Sequence, residues 1–363
     1  MAKAKKLIIF IPSIEDGGVE KNLYIISNYL INKLNNITLI TYNNSNNYKF
    51  DKRINIITPF FNFFNFKGRY PKYLMCLVTL FKILLLDRRN LVLSFQANIF
   101  AIAICNFLNI KILSRSNSSS TGWSSNSFKQ YLFNYYFKKA DEIIVNSFEF
   151  KKEMDKRYNI NCNCILNPFD FKKIKKLSNE KVKKIFKPNT IRLISVGRLT
   201  DQKDHLTTLK AIKDCKKNNI ELIILGKGEN EIKLKKFCYK NKLDKKVKFL
   251  GYKNNPFKYI KQADILILSS IFEGSPNILI EALFLKKYII STNCPTGPNE
   301  ILNKGKYGEL IQIGNSAQIT NLIDNYKKNK KINKKISMGF NSLKSYDQKL
   351  NCDLYYKSIK KFL

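Results

Sequence analysis

A rhythm constrains this chain more than any other feature: short apolar, β-branched runs recur along it, each followed by a longer stretch with helical spacing. In the first half the runs are KLIIFIP, NITLITY, INIITP, LVLSF, KILSRS and EIIVNS; in the second they are IRLISVG, ELIILG, VKFLG, DILILSS, YIIST and ELIQI. Near-continuous Ile, Leu and Val suit strands buried on both faces, and strands that alternate with helices pair in parallel. The expected fold is therefore α/β, with two Rossmann-like doubly wound domains facing across a cleft. A length of 363 residues agrees with two domains of ~150 residues each.

Between the halves lies CILNPFDFKKIKKLSNEKVKKIFKPNT. It reads as a strand ending at Asn167-Pro168, then a polar, basic stretch with little apolar periodicity that serves as the linker. The domains are thus expected at 1–168 and 169–345. After about Lys328 the chain turns polar and helical. Residues 346–363 are expected to form a C-terminal helix crossing back toward the first domain, with Tyr346, Tyr355 and Tyr356 available to pack.

Lys and Arg number 65 against 27 Asp and Glu, a net charge of +38. Such an excess attracts nucleic acid, an anionic phospholipid surface or phosphorylated substrates. Lys and Asn are plentiful throughout, as a bias of the whole proteome would also produce, so charge alone does not choose among partners. A nucleic-acid binder needs a basic stripe with interleaved aromatics or a recognised module. FFNFFNFKGRYPKY sets aromatics beside Lys67, Arg69 and Lys72 but contains no such module.

The 8 cysteines show no metal-ligand spacing; Cys162 and Cys164 form a CxC, and His205, the 1 histidine, is far from them in sequence. Free thiols in a reducing cytoplasm are expected. The apolar run after the basic N-terminus is about five residues, short of the ~7–15 of a signal-peptide core. The longest apolar stretch, Tyr73 to Asp87, is broken by Lys82 and falls short of the ~20 residues of a spanning helix. A cytoplasmic protein, associated at most peripherally with a membrane, is expected.

Parallel α/β sheets hold their ligands beyond the carboxyl ends of the strands, so the loops there carry the search for chemistry. The first, PSIEDGGVEKN, opens a helix at Gly17-Gly18 and would leave backbone N–H groups free for an anion, although plain turn chemistry accounts for a glycine pair as well. It lacks the GxGxxG spacing of a dinucleotide fingerprint. In VGRLTDQKDHL, Arg198 and Lys203 bracket a turn, and two cations there can neutralise a diphosphate. In so basic a chain a surface accident explains them equally. His205 reads as a helix-face residue.

The stretch LSSIFEGSPNILIEALFLKKYII carries Glu273 and Glu281 in an otherwise apolar setting. Ser275 followed by Pro276 fits an N-cap with Pro at the first helical position, which puts Glu273 just before an electropositive helix N-terminus. Glu281 has mostly apolar neighbours three and four positions away, a costly place for a carboxylate unless something donates to it. Helical side chains lean toward the N-terminus, so the two acids can address one ligand. A fourth loop, STNCPTGPNEIL, places Gly297, Pro298 and Glu300 at a turn.

At these residues the chain resembles the family-4 retaining glycosyltransferases of GT-B fold, which pair two Rossmann domains. EGSPNILIEALFLKKYII is similar to their EGxPxxLLEAxxxGxPVI block, GRLTDQKDHLTTLKAI to GRLxxxKxxxxLLxA, GKGEN to a GxGP-like turn and GGVEKN to a GGAER-like loop. CPTGPNEIL resembles a segment of members that build surface polysaccharides, lipopolysaccharide and lipid-linked glycans. In two places the chain departs: LKK replaces the usual Gly before the last strand of the block, and the frequent histidine of the first domain is missing, with Arg115 and Asn117 the nearest candidates for the acceptor side.

The resemblance implies transfer of a hexosyl or N-acetylhexosaminyl group, with retention, from a UDP- or GDP-linked sugar to a glycan or lipid-linked acceptor. The first domain would bind the acceptor and the second the nucleotide-sugar. Arg198, Lys203 and Glu273 would be catalytic; Gly17, Gly18, Gly197, Ser275, Pro276, Asn277, Ile278 and Glu281 would join Arg198 and Lys203 in holding the donor. No DxD pair occurs in the chain. Protein cations would then replace a divalent metal, and no cofactor is expected. The alternatives are a basic nucleic-acid-binding protein and a nucleotide-sugar epimerase of the same architecture. The paired glutamates with Arg198 and Lys203 argue against the second, the lack of a recognition module argues against the first, and the net positive charge makes an anionic membrane surface, not nucleic acid, the expected large partner.

Overall fold

The computed structural model describes residues 6–14, 17–43, 47–60, 68–117 and 127–363. It divides into two compact units, Met1–Phe169 with Tyr346–Leu363, and Asp170–Ser345.

The first unit is built on a parallel sheet in the order β3-β2-β1-β4-β5-β6-β7. Its strands are β1 Leu7–Phe10, β2 Ile37–Ile40, β3 Asn55–Ile57, β4 Leu91–Ser94, β5 Ile112–Arg115, β6 Glu142–Val145 and β7 Asn163–Cys164. Its helices are α1 Gly18–Leu30, α2 Arg69–Leu86, α3 Asn98–Phe107, α4 Ser127–Phe137, α5 Phe148–Tyr158 and, from the end of the chain, α14 Gln348–Lys360. The strand period of two shows why LIIF must be apolar throughout. Leu7 and Ile9 pack with α1 and α14, whereas Ile8 and Phe10 pack with α2 to α5. Neighbours of β1 are held in parallel register, Leu7 opposite Ile37 on one side and Leu91 on the other. The strand order reverses between β1 and β4, the usual place for a ligand in such a sheet.

The second unit repeats the plan with a sheet ordered β10-β9-β8-β11-β12-β13. Its strands are β8 Ile191–Val196, β9 Ile220–Leu225, β10 Val247–Gly251, β11 Ile265–Leu268, β12 Tyr288–Thr292 and β13 Glu309–Ile311. Around it lie α6 Phe171–Ser178, α7 His205–Asp214, α8 Glu231–Lys240, α9 Phe257–Ile260, α10 Asn277–Phe284, α11 Pro298–Ile301, α12 Ser316–Asp324 and α13 Lys330–Asn341. Here the order reverses between β8 and β11. Each apolar run read from the sequence is a strand, and both units are Rossmann-like.

The linker expectation needs correction. The strand near Asn167-Pro168 is only Asn163–Cys164, and the basic stretch holds a helix, α6. The periodicity is there: Phe171, Ile174 and Ser178 fall on one side of a helix whose other faces are lysine, with Ile174 and Ser178 buried. Phe171 stacks on Phe284 of α10 with ring centroids 4.8 Å apart, so this segment is part of the second unit's packing.

The chain leaves the first unit at Phe169 and returns at Tyr346. The two points are tied, with Phe169 N–H donating to the Tyr346 carbonyl at 2.9 Å and the Phe169 and Tyr346 rings meeting edge-on. Tyr355 is fully buried in the core beneath α14.

Candidate active site

Arg198, Lys203 and Glu273 lie in the loops at the carboxyl ends of β8 and β11, with the loop after β12 against them. After β8, Gly197 donates to the Leu225 carbonyl at 3.0 Å, and the Lys203 stem lies over its Cα: a Cβ on Gly197 would stand 3.5 Å from Lys203 Cγ and Cδ. Gly226, after β9, has φ +153°, and a Cβ there would sit 1.8 Å from the Gly197 carbonyl oxygen. Only glycine fits both the conformation and that approach. The GRL and GKG turns are thus packed backbone to backbone.

The loop after β11 is stitched to its neighbours. Ile271 N–H donates to the Gln202 carbonyl at 2.8 Å, and Gln202 Nε2 donates to the Phe272 carbonyl at 3.0 Å. Thr296 Oγ1 donates to the Glu273 carbonyl at 2.7 Å, and Thr292 Oγ1 to the Ser270 carbonyl at 2.6 Å. In the middle, Glu273 Oε1 accepts from Ser270 Oγ at 2.6 Å and from the Lys203 ammonium. Cys294 lies close enough that burial first, and then the Glu273 charge, push its thiol up to about 12.

The start of α10 corrects the capping expectation. Pro276 is the N-cap, with extended ψ of 104°, and Asn277 is the first helical residue. The next loop packs closely on this turn: a Cβ on Gly297 would stand 2.5 Å from the Gly274 carbonyl oxygen and 2.7 Å from Pro276 Cδ. Ser275 is buried within it, and Glu281 is buried in the second turn of α10. Arg198 is exposed at the strand end. Arg198, Lys203 and Glu273, with Gly197, Ser275, Pro276 and Asn277, therefore belong to one edge of one sheet.

Gly17 and Gly18 lie in the first unit at the N-terminus of α1. The expectation that Gly17 leaves its N–H free is overturned, because Glu20, three residues on, accepts from it at 2.9 Å. A buried carboxylate already occupies that helix end. Arg115 is redirected more strongly. It has 0% exposure, donates from Nε to the Tyr355 hydroxyl and from Nη2 to Asn167 Oδ1, both at 2.7 Å, and stacks over Phe95. It ties α14 to the sheet from a fully buried position. Asn117 is part-buried and donates to the Phe95 carbonyl at 2.9 Å; the serines that follow in SRSNSSS lie outside the described residues.

Reading the sequence missed several residues. Ser270, Gln202 and Thr296 position Glu273, and their only signal was a place just after a buried strand. His205, read from the sequence as a helix-face residue, opens α7 and is 3% exposed, with Nδ1 3.2 Å from Ser195 Oγ. Burial, and then the neighbouring Lys203 charge, hold its imidazole down at about 4. In the first unit, Ser13 and Gln96 exchange hydrogen bonds of 3.0 and 2.9 Å across the loops after β1 and β4, where the strand order reverses.

Comparison with known proteins fits this arrangement. Residues 178–339 match the model of the glycosyl transferases group 1 family. The chain is 40% identical over 179 residues to an uncharacterized glycosyltransferase of Methanocaldococcus jannaschii, covering 47% of this chain and 44% of that one. It is 28% identical over 213 residues to the N-acetylgalactosamine-N,N'-diacetylbacillosaminyl-diphospho-undecaprenol 4-alpha-N-acetylgalactosaminyltransferase of Campylobacter jejuni, covering 56% of each. The chain thus spans about half the length of these curated relatives. Among solved structures, the Anabaena protein HepE in complex with UDP-glucose superposes with a TM-score of 0.78 at 15% identity, over 99% of this chain and 100% of that one. That likeness is one of fold, the GT-B arrangement of two Rossmann-like units.

Proposed function

We propose that the chain is a glycosyltransferase that moves a sugar from a nucleoside-diphosphate sugar to a glycan or lipid-linked acceptor. The observation that carries this reading is the gathering of two cations and a hydrogen-bonded carboxylate at one sheet edge, beside the N-terminus of a helix that buries a second carboxylate. Arg198 and Lys203 are suited to a departing diphosphate, the first by bidentate contact and the second as a point charge. The N-terminus of α10 begins in the same loop as Glu273, and the positive end of a helix favours an anion. Glu281 is assigned to the ribose hydroxyls and Glu273 to the donor sugar. Fixed protein cations take the role a metal would otherwise have, so the reaction is read as metal-independent.

In this reading the acceptor attacks from the face the diphosphate leaves, and the leaving phosphate oxygen takes the acceptor proton, giving retention. The M. jannaschii and C. jejuni relatives support the reaction class. The name of the second, which states a diphospho-undecaprenol acceptor, supports a lipid-linked one.

Calorimetry with UDP and GDP, and with duplex and single-stranded DNA as controls, tests the proposal. The cognate nucleotide at 100 times its Kd stabilises the fold by about 2.7 kcal/mol. Glu281→Ala is expected to weaken nucleotide binding by about 1.5–3 kcal/mol and to raise KM. Glu273→Gln is expected to lower kcat and leave free-nucleotide affinity nearly intact, because its contact strengthens as charge develops at the anomeric carbon. Normal nucleotide binding by Glu281→Ala, or tight binding of DNA with none of nucleotide, rejects the assignment.

A further inference from the structure

The helices α2 to α5 cover one face of the first unit's sheet, and three of them, α2, α3 and α4, carry several large apolar side chains on their outer side. On α2, Cys76, Leu80 and Leu84 face the core. Tyr70, Leu74, Val78, Lys82 and Leu85 follow one another at three- and four-residue steps along the opposite side, and all are exposed. Leu74 is 63% exposed and Leu86, beside the stripe, 89%. On α3, Phe100 and Phe107 stand two turns apart on the outer side, Phe107 at 78% exposure; on α4, Tyr131 and Tyr135 do the same one turn apart. The helices are laterally continuous, with the Phe81 and Phe107 rings 6.5 Å apart across α2 and α3. Large apolar side chains that cluster on a surface mark something that covers them.

Charge identifies what does. From Arg69 to Phe137 the chain has a single acidic residue, Asp87. Its carboxylate is taken by Arg89, with Nε 3.0 Å from Oδ1. Lys82, Arg88 and Lys129, and then Lys138 and Lys139 just past α4, are exposed around the apolar residues. A second copy of this chain would set one positive face against another. A nucleic acid would meet Leu74, Val78, Leu85 and Leu86 where it requires cations. An anionic bilayer satisfies both features, with apolar side chains entering the acyl boundary, tyrosines at the interface and Lys and Arg among the headgroups. No described helix is long and apolar enough to cross a membrane, so the layer would lie on the surface.

We propose that the outer face of α2, α3 and α4 docks the first unit on an anionic phospholipid bilayer. This deepens the lipid-linked acceptor reading above, by naming the surface from which such an acceptor is reached. Part of the aromatic segment FFNFFNFKGRYPKY, residues 61–67, lies outside the described residues.

The test is flotation of the full chain with phosphatidylcholine vesicles and with vesicles that also contain phosphatidylglycerol, no nucleotide or acceptor being present. Binding is expected to the anionic vesicles, to weaken as salt rises, and to fall at least about tenfold in a Leu74→Ser, Leu86→Ser, Phe107→Ser variant. Lys82→Glu with Arg88→Glu is expected to weaken binding most at low salt. Tyr239→Ser, at an 80% exposed aromatic of the second unit, is expected to bind like the wild type. All of these positions are exposed, and circular dichroism and unchanged nucleotide affinity check that each variant folds. Equal binding to neutral and anionic vesicles, an unaffected triple variant, no vesicle binding at all, or a wild-type dimer that the triple variant dissolves would overturn the proposal. None of these outcomes touches the transfer reading, which nucleotide calorimetry decides separately.

Discussion

Lys203 donates its ammonium to Glu273, a residue 70 positions further along the chain, and the two side chains are 16% and 8% exposed. A pair so enclosed gains from mutual attraction but suffers when one partner is removed, because the other is left charged in a poor solvent. Lys203 therefore has two duties: balancing Glu273 in the resting protein and facing the leaving diphosphate in the proposed reaction.

This pairing separates the two cations. Lys203→Met and Glu273→Gln should each lower the urea midpoint, and the double variant should lose less than the sum, with a coupling of about 1–3 kcal/mol. Arg198→Ala, at an exposed position, should leave the midpoint unchanged. Both Arg198→Ala and Lys203→Met should reduce kcat by about 10²–10³ if they stabilise the departing group. EDTA should not alter the wild-type rate. Additive stability losses, or a strict requirement for added metal, would contradict the scheme.

Arg115 is predicted to be structural. Tyr355→Phe takes one acceptor from a buried guanidinium and should cost about 1.5–3 kcal/mol, read as a lower urea midpoint and faster proteolysis near the C-terminus. Were Arg115 instead an acceptor-side residue, Tyr355→Phe would change the acceptor KM and leave stability alone.

His205 supplies a pH signature. Its folded pKa of about 4 lies below the ordinary 6.5, so above pH 6.5 both folded and unfolded chains carry it neutral and its contribution to stability is complete. As pH falls from 6.5 toward 4, the unfolded chain takes up a proton that the folded one refuses, and stability declines by a total of about 3 kcal/mol. Because the chain has 1 histidine, the difference between wild-type and His205→Gln urea curves across that window isolates the effect. Parallel curves would show that the imidazole is not held neutral.

The architecture was legible because strand burial leaves a local mark. LIIF, ELIILG and DILILSS are short and largely apolar, and their alternation with longer helical stretches marks them as buried parallel strands. The GRL turn and the paired glutamates were legible for a related reason: a carboxylate among Ile and Leu is conspicuous in one dimension. Helix α6 was overlooked because its lysines outnumber the few apolar positions that face the second unit.

Tertiary structure alone decided who pairs with whom. Lys203 and Glu273 are joined by the parallel alignment of β8 and β11 and by loops that lock together through Gly197, Gly226 and Gly297. Lys286, where LKK stands in place of the usual glycine, takes a left-handed φ of 55° and sets its ammonium over the Phe340 ring, an accommodation invisible in the motif. Arg115 looked available because it ends a strand, and only the return of α14 buries it against Tyr355. Burial pattern is local in sequence, since it follows the period of each element, whereas charge pairing depends on contacts between segments far apart in the chain. The sequence therefore determined the two sheets and the edge where chemistry gathers, and the folded structure determined which of the charged residues stand there.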